Sequence, residues 1–376
     1  MTSEEIELLS QLTVVIPTYN RPLELERAIE YWRDTPVTVH ILDGSLKPSF
    51  CEGRLFDSKS IYYHHKPTLS LVNPELNVMS RLVFAASLPK TKYSVVSCDD
   101  DFYTFSGLIE SLRILESRPE VDAVAGRIAS YEVKQNQIRW HMKYNFKAQN
   151  VALSPSLKDR AERSRDWFLY AVCRTDSWAK FLKASYEERS FTELNFGGHD
   201  WMMQLFSLAM FRTYFIEVIF LVRQTTVHGA NIGPTVDWNA WLFENEESNQ
   251  VKELVEHIAE IFRQSSLENE SSSCREYAEH FIQREIQSFR EAKSTQNRLF
   301  VVRLKSALLS ELKLIVRKLT RRLDPLEVRV RRVKKRTRPF TKDLIKLGYL
   351  REVSDITMIR QILLKPREEL RLRANI

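Results

Sequence analysis

Short apolar segments alternate with longer amphipathic segments through the first third of this 376-residue chain. The apolar runs have the length of buried strands, whereas the amphipathic runs repeat their apolar residues at helical spacing. Such alternation predicts βαβ units and an α/β fold with a mainly parallel sheet flanked by helices. Predicted strands lie at 12–17, 37–42, 61–64, 93–97 and 121–125, and predicted helices lie at 23–32, 73–86 and 103–117.

The middle of the chain is more mixed, and the end is helical. The pattern predicts a hairpin of 128–134 with 137–143, strands at 167–173 and 213–222, and helices at 175–185 and 201–211. Beyond residue 238 the spacing is helical almost throughout. We therefore expect an α/β domain over residues 1–236 and a helical region over residues 237–376.

Cysteine usage and the N-terminus favour a cytosolic protein. The four cysteines, Cys51, Cys98, Cys173 and Cys274, are scattered and form no CxxC pair, so neither a zinc site nor a disulfide framework is expected. The first 12 residues carry three acids and no basic residue, which is the wrong charge for a secretory signal. No run of about 18 apolar residues occurs, so no spanning helix is expected.

The basic residues are concentrated near the C-terminus. Residues 298–376 contain 23 Lys and Arg against 8 Asp and Glu, a net charge of +15, whereas the rest has 33 basic and 41 acidic residues, a net charge of −8. Apolar residues recur at helical spacing between 301 and 319, and seven basic residues follow between 329 and 338. A basic amphipathic helix beside a basic cluster is typical of a segment that binds an anionic membrane surface.

Two other roles stay open for this tail. Its apolar stripe would also suit packing on the α/β domain or on a second subunit, so an oligomer remains an alternative to membrane attachment. Nucleic acid is disfavoured as a partner, because no recognised nucleic-acid motif accompanies the charge.

Three consecutive carboxylates, Asp99, Asp100 and Asp101, follow the predicted strand at 93–97. Adjacent carboxylates repel one another unless a cation or arginines neutralise them. Their hard oxygens suit Mg²⁺ or Mn²⁺, which in proteins often sit beside substrate phosphates. The carboxyl end of a strand is where open α/β sheets bind ligands. The alternative is an acidic turn that caps the helix beginning near Tyr103.

Other polar clusters share this placement at the ends of predicted parallel strands, so they should converge at one edge of the sheet. They are Thr18-Tyr19-Asn20-Arg21 after the first strand and Asp43-Gly44-Ser45 after the second. Together with the acidic triplet they suit a nucleoside diphosphate. The aromatic ring can stack on a base, Asp43 can accept from a base N–H, and Arg81 with a metal can neutralise the diphosphate. No GxGxxG or GxxxxGK[ST] motif occurs, so dinucleotide cofactors and P-loop chemistry are disfavoured.

Four segments of the chain, taken in their order along the sequence, resemble family 2-type glycosyltransferases of the GT-A fold. The segments are 15–21 (VIPTYNR), 42–45 (LDGS), 77–81 (NVMSR) and 92–101 (KYSVVSCDDD), and the resemblance covers about residues 12–230. It implies a GT-A fold, which is a Rossmann-like, mixed and mainly parallel sheet flanked by helices, here with a helical, basic C-terminal extension. It also implies a nucleotide-sugar donor, Mn²⁺ or Mg²⁺ as cofactor, and usually an inverting transfer.

The resemblance also implies roles for individual residues. Those expected to bind the nucleotide-sugar are Thr18, Tyr19, Asn20, Arg21, Asp43, Arg81, Asp99 and Asp100, with Thr18, Tyr19 and Asp43 at the base and Arg81 at the diphosphate. Those expected to hold the metal are Asp99, Asp101 and His228. Two departures are visible: Leu42 stands where the family usually has an acid, and the triplet leaves open whether Asp100 is the direct metal ligand instead.

Asp200 is the expected catalytic base. An inverting transfer needs a carboxylate that deprotonates the acceptor hydroxyl, and Asp200 lies at the start of a predicted helix in the sequence Gly197-Gly198-His199-Asp200. The family often has an acidic pair here, and His199 replaces its first member. Plain capping of the helix is the alternative for Asp200, and a structural or exposed histidine is the alternative for His228.

The resemblance implies a hexosyltransferase-type enzyme and, by family analogy alone, a place in surface polysaccharide biosynthesis, cytoplasmic or peripheral at the inner face of the membrane. The donor would be a UDP-sugar in preference to others, and the acceptor a hydroxyl of a glycan or lipid-linked molecule. Trp167, Tyr170 and Arg174-Thr175 would line the acceptor pocket, with core packing of a buried strand as the alternative for Trp167. A sugar-nucleotide nucleotidyltransferase is disfavoured, because the first strand is not followed by a glycine-rich loop. The alternative function from a different class is a non-catalytic, membrane-attached scaffold of the same fold.

Overall fold

A mixed β-sheet with helices on both faces forms the centre of the computed structural model. The structure describes residues 1–50, 53–54, 60–67, 74–134, 137–141, 153–154, 156, 160, 170–187, 207, 210–224, 238–265, 273–291, 293 and 352–366. Asp200, His228 and Trp167 lie outside these ranges, as do the apolar stripe at 301–319 and the basic cluster at 329–338.

Ten strands of the described residues join this sheet. They are β1 (Leu12–Thr18), β2 (Thr38–Asp43), β3 (Gly53–Arg54), β4 (Ile61–His65), β5 (Tyr93–Val96), β6 (Phe102–Tyr103), β7 (Ala123–Lys134), β8 (Gln137–His141), β9 (Val172–Arg174) and β10 (Thr213–Gln224). The helices are α1 (Ser3–Ser10), α2 (Pro22–Trp32), α3 (Pro74–Ala85), α4 (Phe105–Ser117), α5 (Thr175–Glu187), α6 (Trp238–Glu244), α7 (Asn249–Ser265), α8 (274–291) and α9 (Glu352–Leu364).

The strand order is β3-β4-β2-β1-β5-β9-β7-β10-β6, and β8 extends β7 as a hairpin. Strands β4, β2, β1 and β5 are parallel to their neighbours in this block, and β10 is parallel to β7. The short strands β3, β6 and β9 are antiparallel to the strands they contact. The predicted α/β class, a mixed and largely parallel sheet flanked by helices, is therefore confirmed.

Several predicted boundaries shift for identifiable reasons. The strand predicted at 121–125 and the hairpin strand predicted at 128–134 are joined in one strand that begins at Ala123, β7, because its pairing with β10 continues past Gly126 with register shifts. The helix expected from Tyr103 begins at Phe105, since Phe102 and Tyr103 pair with the end of β10. The strand expected over 167–173 is described only as Val172–Arg174.

Buried side chains form a hydrophobic core on each face of the sheet. Helices α1, α2, α4 and α9 contribute to one core, and α3 and α5–α8 contribute to the other. The described helices beyond residue 237 therefore pack in the same cores as the sheet. Within the described ranges, no helix combines the length and the apolar composition needed to cross a membrane.

The C-terminal helix α9 is an integral part of the first core. Ile356 and Ile359 are 1% and 0% exposed. The Asp355 carboxylate accepts hydrogen bonds from the Ser106 backbone N–H at 3.0 Å and the Ser106 hydroxyl at 2.8 Å. This carboxylate stabilises the first turn of α4, where backbone N–H groups lack helical partners. Helix α9 therefore stabilises the helix that follows the acidic triplet after the short strand β6.

Candidate active site

The turns after β1 and β2 are tied together at the carboxyl edge of the sheet. Parallel pairing places Thr18 opposite Asp43. The Gly44 N–H donates to the Thr18 carbonyl at 3.0 Å, and the Asn20 N–H donates to the Ser45 hydroxyl at 2.8 Å. Asn20 adopts φ 54°, a left-handed conformation that asparagine tolerates better than most residues. This turn precedes the first residue of α2 and directs the chain back towards the acidic triplet.

The acidic triplet is not the cap of α4. Thr104 is the N-cap residue, and its hydroxyl accepts a hydrogen bond from the Gly107 N–H at 3.1 Å. The three Asp residues instead form the turn between β5 and β6, and both Asp99 and Asp101 are 3% exposed. Since burying a carboxylate is costly without compensation, each needs its own partners.

Asp99 is fully engaged by residues of the β1 turn. Its Oδ2 accepts from the Thr18 hydroxyl at 2.7 Å, and its Oδ1 accepts from Arg21 Nη1 at 2.6 Å. The second nitrogen of the same guanidinium, Nη2, donates to Asp100 Oδ2 at 2.6 Å. Burial lowers the pKa of Arg21, but the charges of Asp99 and Asp100 raise it more, so the net pKa lies above its ordinary value. Arg21 therefore links two members of the triplet as a permanent cation.

Asp101 has a different environment. The Gln224 N–H donates to its Oδ1 at 3.3 Å, and Arg223 Nε lies 3.9 Å from its Oδ2. Oδ2 is buried and has no hydrogen-bond partner among the described residues. Potential ligand atoms of Cys98, Asp100 and Asp101 all lie within 4.8 Å of one another. A buried carboxylate oxygen without a hydrogen bond, beside a second carboxylate, fits a divalent cation.

Burial and mutual repulsion perturb the acidity of the triplet. Burial raises the pKa of Asp99 to about 7, with Arg21 opposing and Asp100 adding to the shift. Burial and the Asp100 charge raise the pKa of Asp101 to about 8, with Arg223 opposing. A cation beside these oxygens would favour their ionised forms. The cluster is therefore short of positive charge, even with two guanidiniums beside it.

Residues at the ends of β7 and β10 complete the cluster, although the sequence patterns did not single them out. The Tyr131 hydroxyl lies 2.7 Å from the Asp100 carbonyl and 3.2 Å from Gln224 Oε1. Arg223 lies over the Tyr170 ring with 5.2 Å to its centroid. Arg223-Gln224 ends a strand parallel to β7, so the strand-end argument that found the other clusters would also have found this pair.

The predicted base-binding residue Asp43 is completely buried. Its Oδ1 accepts from the Ser45 N–H at 2.8 Å, and its Oδ2 accepts from the Tyr63 hydroxyl at 2.6 Å and from the Ser49 hydroxyl at 3.0 Å. Burial would raise the pKa of Asp43, but hydrogen bonds from Ser45, Tyr63 and Ser49 lower it below its ordinary value. Asp43 is thus an ionised anchor for the loop after β2, and a base N–H would have to share Oδ1 with Ser45.

Arg81 lies directly beneath the loop after β2. It is 4% exposed, and burial lowers its pKa to about 10, with Asp43 and Tyr19 opposing the shift. A Cβ added at Gly44 would lie 1.9 Å from Arg81 Nη1 and 2.5 Å from its Cζ. Glycine is therefore required at this position for close approach of the guanidinium to the backbone.

Gly44→Ala is expected to displace the Arg81 guanidinium rather than to unfold the chain, because the clash falls on the end of a flexible side chain. For the UDP-sugar donor that the sequence predicts, UDP affinity should fall about tenfold, the effect of losing roughly 1.4 kcal/mol of binding free energy. Isothermal titration with UDP and Mn²⁺ measures this change, and thermal melting checks that the fold is kept. Unchanged UDP affinity with an intact fold would exclude Arg81 from the binding site.

Two histidines pack together on neighbouring strands near this edge. His40 Nδ1 lies 3.0 Å from His64 Nε2, and the rings stack at 5.2 Å between centroids. Burial, with a smaller contribution from His64, lowers the pKa of His40 to about 4. The adjacent His65 has its Nε2 2.8 Å from the Ser45 carbonyl, so it supports the same loop as Asp43.

The buried His40 makes a contribution to stability that should be lost in mild acid. Unfolded His40 takes up a proton near its ordinary pKa of 6.5, whereas the folded side chain does so only near 4. The contribution of His40 to the free energy of unfolding should therefore fall by about 2 kcal/mol as the pH drops from 6.5 to 4. The difference between wild type and a His40 variant isolates it from Asp99 and Asp101, whose raised pKa values act in the opposite direction. Urea denaturation at several pH values measures this in wild type and His40→Asn. Equal slopes in the two proteins would contradict the prediction.

Two described residues that were predicted to line the acceptor pocket, Arg174 and Tyr170, contact other parts of the fold. Arg174 Nε donates to the Val121 carbonyl at 2.9 Å, and its Nη2 donates to the Leu115 carbonyl at 2.7 Å. The Tyr170 hydroxyl lies 3.3 Å from Cys98 Sγ, and Tyr170 is 5% exposed. Both side chains are therefore engaged by neighbouring residues around β9.

Comparisons with known proteins show only limited similarity. No family model matches the chain, and no curated protein does. Among solved structures, S. aureus TarS 1-349 is similar with 11% identity and a TM-score of 0.37, covering 75% of this chain and 91% of that one. A longer S. aureus TarS structure has 12% identity and a TM-score of 0.39, covering 72% of this chain and 43% of its own. TM-scores below 0.5 do not establish a shared fold.

Proposed function

We propose that this chain is a metal-dependent glycosyltransferase that uses a nucleotide-diphospho-sugar, with a UDP-sugar favoured. The observation that carries the proposal is Asp101 Oδ2, a buried carboxylate oxygen without a hydrogen bond among the described residues. It lies in the turn after β5, close to Asp100, in the part of the sheet that also presents Arg21. Buried carboxylates for a cation beside guanidiniums for phosphates form the donor set that a metal–diphosphate complex requires.

Different described side chains would bind different parts of the nucleotide-sugar. Tyr19 is half-buried in the turn after β1 and is available to stack on the base, beside the Asp43-anchored loop. Arg81 beneath Gly44 faces the same loop and would neutralise the diphosphate. Asp100 and Asp101 would hold Mn²⁺ or Mg²⁺, with His228 as the expected further ligand, whereas Asp99 would orient Arg21 and Thr18. A bound divalent cation would offset the charge that develops on the leaving nucleoside diphosphate.

The acceptor half of the reaction rests on Asp200. As a base it would remove the proton of the acceptor hydroxyl while that oxygen attacks the anomeric carbon and the nucleoside diphosphate leaves. Attack from the face opposite the leaving group inverts the configuration. The acceptor proposed is a glycan or lipid-linked sugar of surface polysaccharide biosynthesis. The basic tail would hold the enzyme at the anionic inner face of the membrane.

A thermal-shift panel tests the donor proposal. UDP-, GDP- and CMP-sugars are each added to the full chain with Mn²⁺, with Mg²⁺ and with EDTA. Ligands that bind the folded state raise the melting temperature, increasingly so above their dissociation constant. We expect UDP-sugars with Mn²⁺ to give the largest shift and EDTA to remove most of it. The absence of any metal-dependent shift with every nucleotide-sugar would contradict the proposal.

A further inference from the structure

The guanidinium of Arg21 occupies the position from which a cation neutralises the acidic triplet. Its Nη1 and Nη2 contact Asp99 and Asp100, each at 2.6 Å, so one side chain bridges two carboxylates. The side chain of Arg21 is 17% exposed and that of Asp99 is 3% exposed, so solvent screens this pair only weakly. The triplet is therefore already partly compensated from within the chain.

Two buried polar atoms of the same cluster lack hydrogen-bond partners among the described residues. One is the acceptor Asp101 Oδ2, and the other is the donor Arg21 Nε. The acceptor, which has only the longer ion pair with Arg223 at 3.9 Å, suits a cation, and the donor suits an anion. A divalent cation would suit the acceptor, and a phosphate would suit the donor.

We propose that Arg21 is an internal counter-cation that competes with the divalent cation for Asp100 and turns to a donor phosphate when that cation binds. The inference rests on the proposed function, because it concerns the same metal–diphosphate site. Arg21 would keep its bond to Asp99, which Thr18 also holds in place, and would give up only the bond to Asp100. Asn20, in its left-handed conformation directly before Arg21, fixes the backbone from which the side chain turns.

Electrostatics supply the reason for the exchange. Asp99, Asp100 and Asp101 face only two nearby guanidiniums among the described residues, those of Arg21 and Arg223. A divalent cation at Asp100 would repel an Arg21 that stayed in contact with the same carboxylate. A phosphate restores the partner that Arg21 loses, so cation and nucleotide should bind cooperatively, each raising the affinity for the other by the same factor.

Binding of Mn²⁺ alone tests this exchange without any turnover. The electron paramagnetic resonance signal of free Mn²⁺ is titrated with wild type, Arg21→Gln, Asp101→Asn and the matched surface control Arg113→Gln. We expect Arg21→Gln to bind Mn²⁺ about tenfold more tightly than wild type, within the usual range of coupling between sites. Arg113→Gln should match wild type, because Arg113 lies on α4 and forms ion pairs with Glu4 and Glu5 of α1, not with the triplet.

The same titration is repeated with UDP present. Wild type should bind Mn²⁺ more tightly with UDP than without it, and this gain should shrink several-fold in Arg21→Gln. Because Arg21→Gln leaves Asp99 buried without its cation, the double variant Arg21→Gln/Asp99→Asn is compared with Asp99→Asn alone. The double variant should bind Mn²⁺ more tightly than the single one, which keeps the test valid if Arg21→Gln does not fold.

The outcomes separate this inference from the function it rests on. Mn²⁺ affinity that is unchanged or weaker without Arg21, but lost in Asp101→Asn, overturns the exchange and leaves the metal site standing. No Mn²⁺ binding to any variant overturns the exchange as well. In that case the metal-dependent shift with UDP-sugars decides whether the glycosyltransferase proposal survives.

Discussion

Asp101→Asn is expected to lower Mn²⁺-dependent UDP affinity at least about 100-fold and to reduce turnover to background. Even outer partners of metal ligands cost about 10–100-fold when they are replaced, so a direct ligand should cost no less. The amide is nearly isosteric with the carboxylate, and Oδ1 would still accept from the Gln224 N–H. The change therefore removes charge with little disturbance of packing. Isothermal titration with UDP and Mn²⁺ measures the loss.

Asp34→Asn is the matched control for this substitution. Asp34 is exposed in the turn between α2 and β2. This turn leads into the amino end of β2, whereas the triplet lies at the carboxyl edge of the sheet. The control should bind UDP as wild type does. An Asp101→Asn protein that melts like wild type and binds UDP with Mn²⁺ equally well would remove Asp101 from the metal site.

Deleting residues 352–376 is expected to prevent folding. Four side chains of α9 lie in the core beside α2 and α4, namely Ile356, Ile359, Ile362 and Leu363, all at most 5% exposed. Burial of an aliphatic side chain contributes about 1.5–3 kcal/mol, so their loss approaches the 5–15 kcal/mol that stabilises a typical domain. Soluble yield and circular dichroism report the outcome.

Point variants keep this prediction measurable if the deletion leaves no protein. Ile359→Ala should lower the free energy of unfolding by about 2–5 kcal/mol, because Ile359 is fully buried. Ile6→Ala, at a position that is 45% exposed, should change it far less. Equal and small effects at both positions would show that α9 does not contribute to the core in solution.

The position of α9 also decides how membrane binding must be tested. Removing the whole basic tail from residue 298 would remove a core helix together with the charges. Charge-neutral replacement of the basic residues between 329 and 338, with α9 retained, separates the two roles. Flotation with vesicles of anionic lipid then tests attachment, and unchanged binding after replacement would contradict a membrane role for this cluster.

Alternation of apolar and amphipathic segments predicted the fold class and most elements of the first 117 residues. Strands β1, β2, β4 and β5 lie within a residue or two of their predicted ranges, because buried parallel strands read as short apolar runs. Because these strands run in the same direction, the polar residues that follow them meet at one edge of the sheet. The pattern predicts two separate segments, 121–125 and 128–134, where continuous pairing with β10 makes one strand, β7.

The site was only partly visible in the sequence. The sequence motifs indicated that Arg21, Asp43, Arg81 and the acidic triplet belong to the site. They did not indicate which carboxylate each guanidinium would contact. That depends on the left-handed turn at Asn20 and on the spacing of β1 and β5, both of which are three-dimensional. The support given by α9 through Asp355 joins residues 249 positions apart, which no local pattern can reveal.

Nucleotide release from UDP-hexoses tests the central claim most directly. The full chain is incubated with UDP-glucose and UDP-N-acetylglucosamine, with Mn²⁺ or with EDTA, and the nucleotide products are separated by ion-exchange chromatography. A metal-dependent glycosyltransferase releases UDP, if only by slow transfer to water, and EDTA and Asp101→Asn both stop the release. Formation of UTP from added diphosphate, or UDP release that is indifferent to EDTA and to Asp101→Asn, would contradict the account.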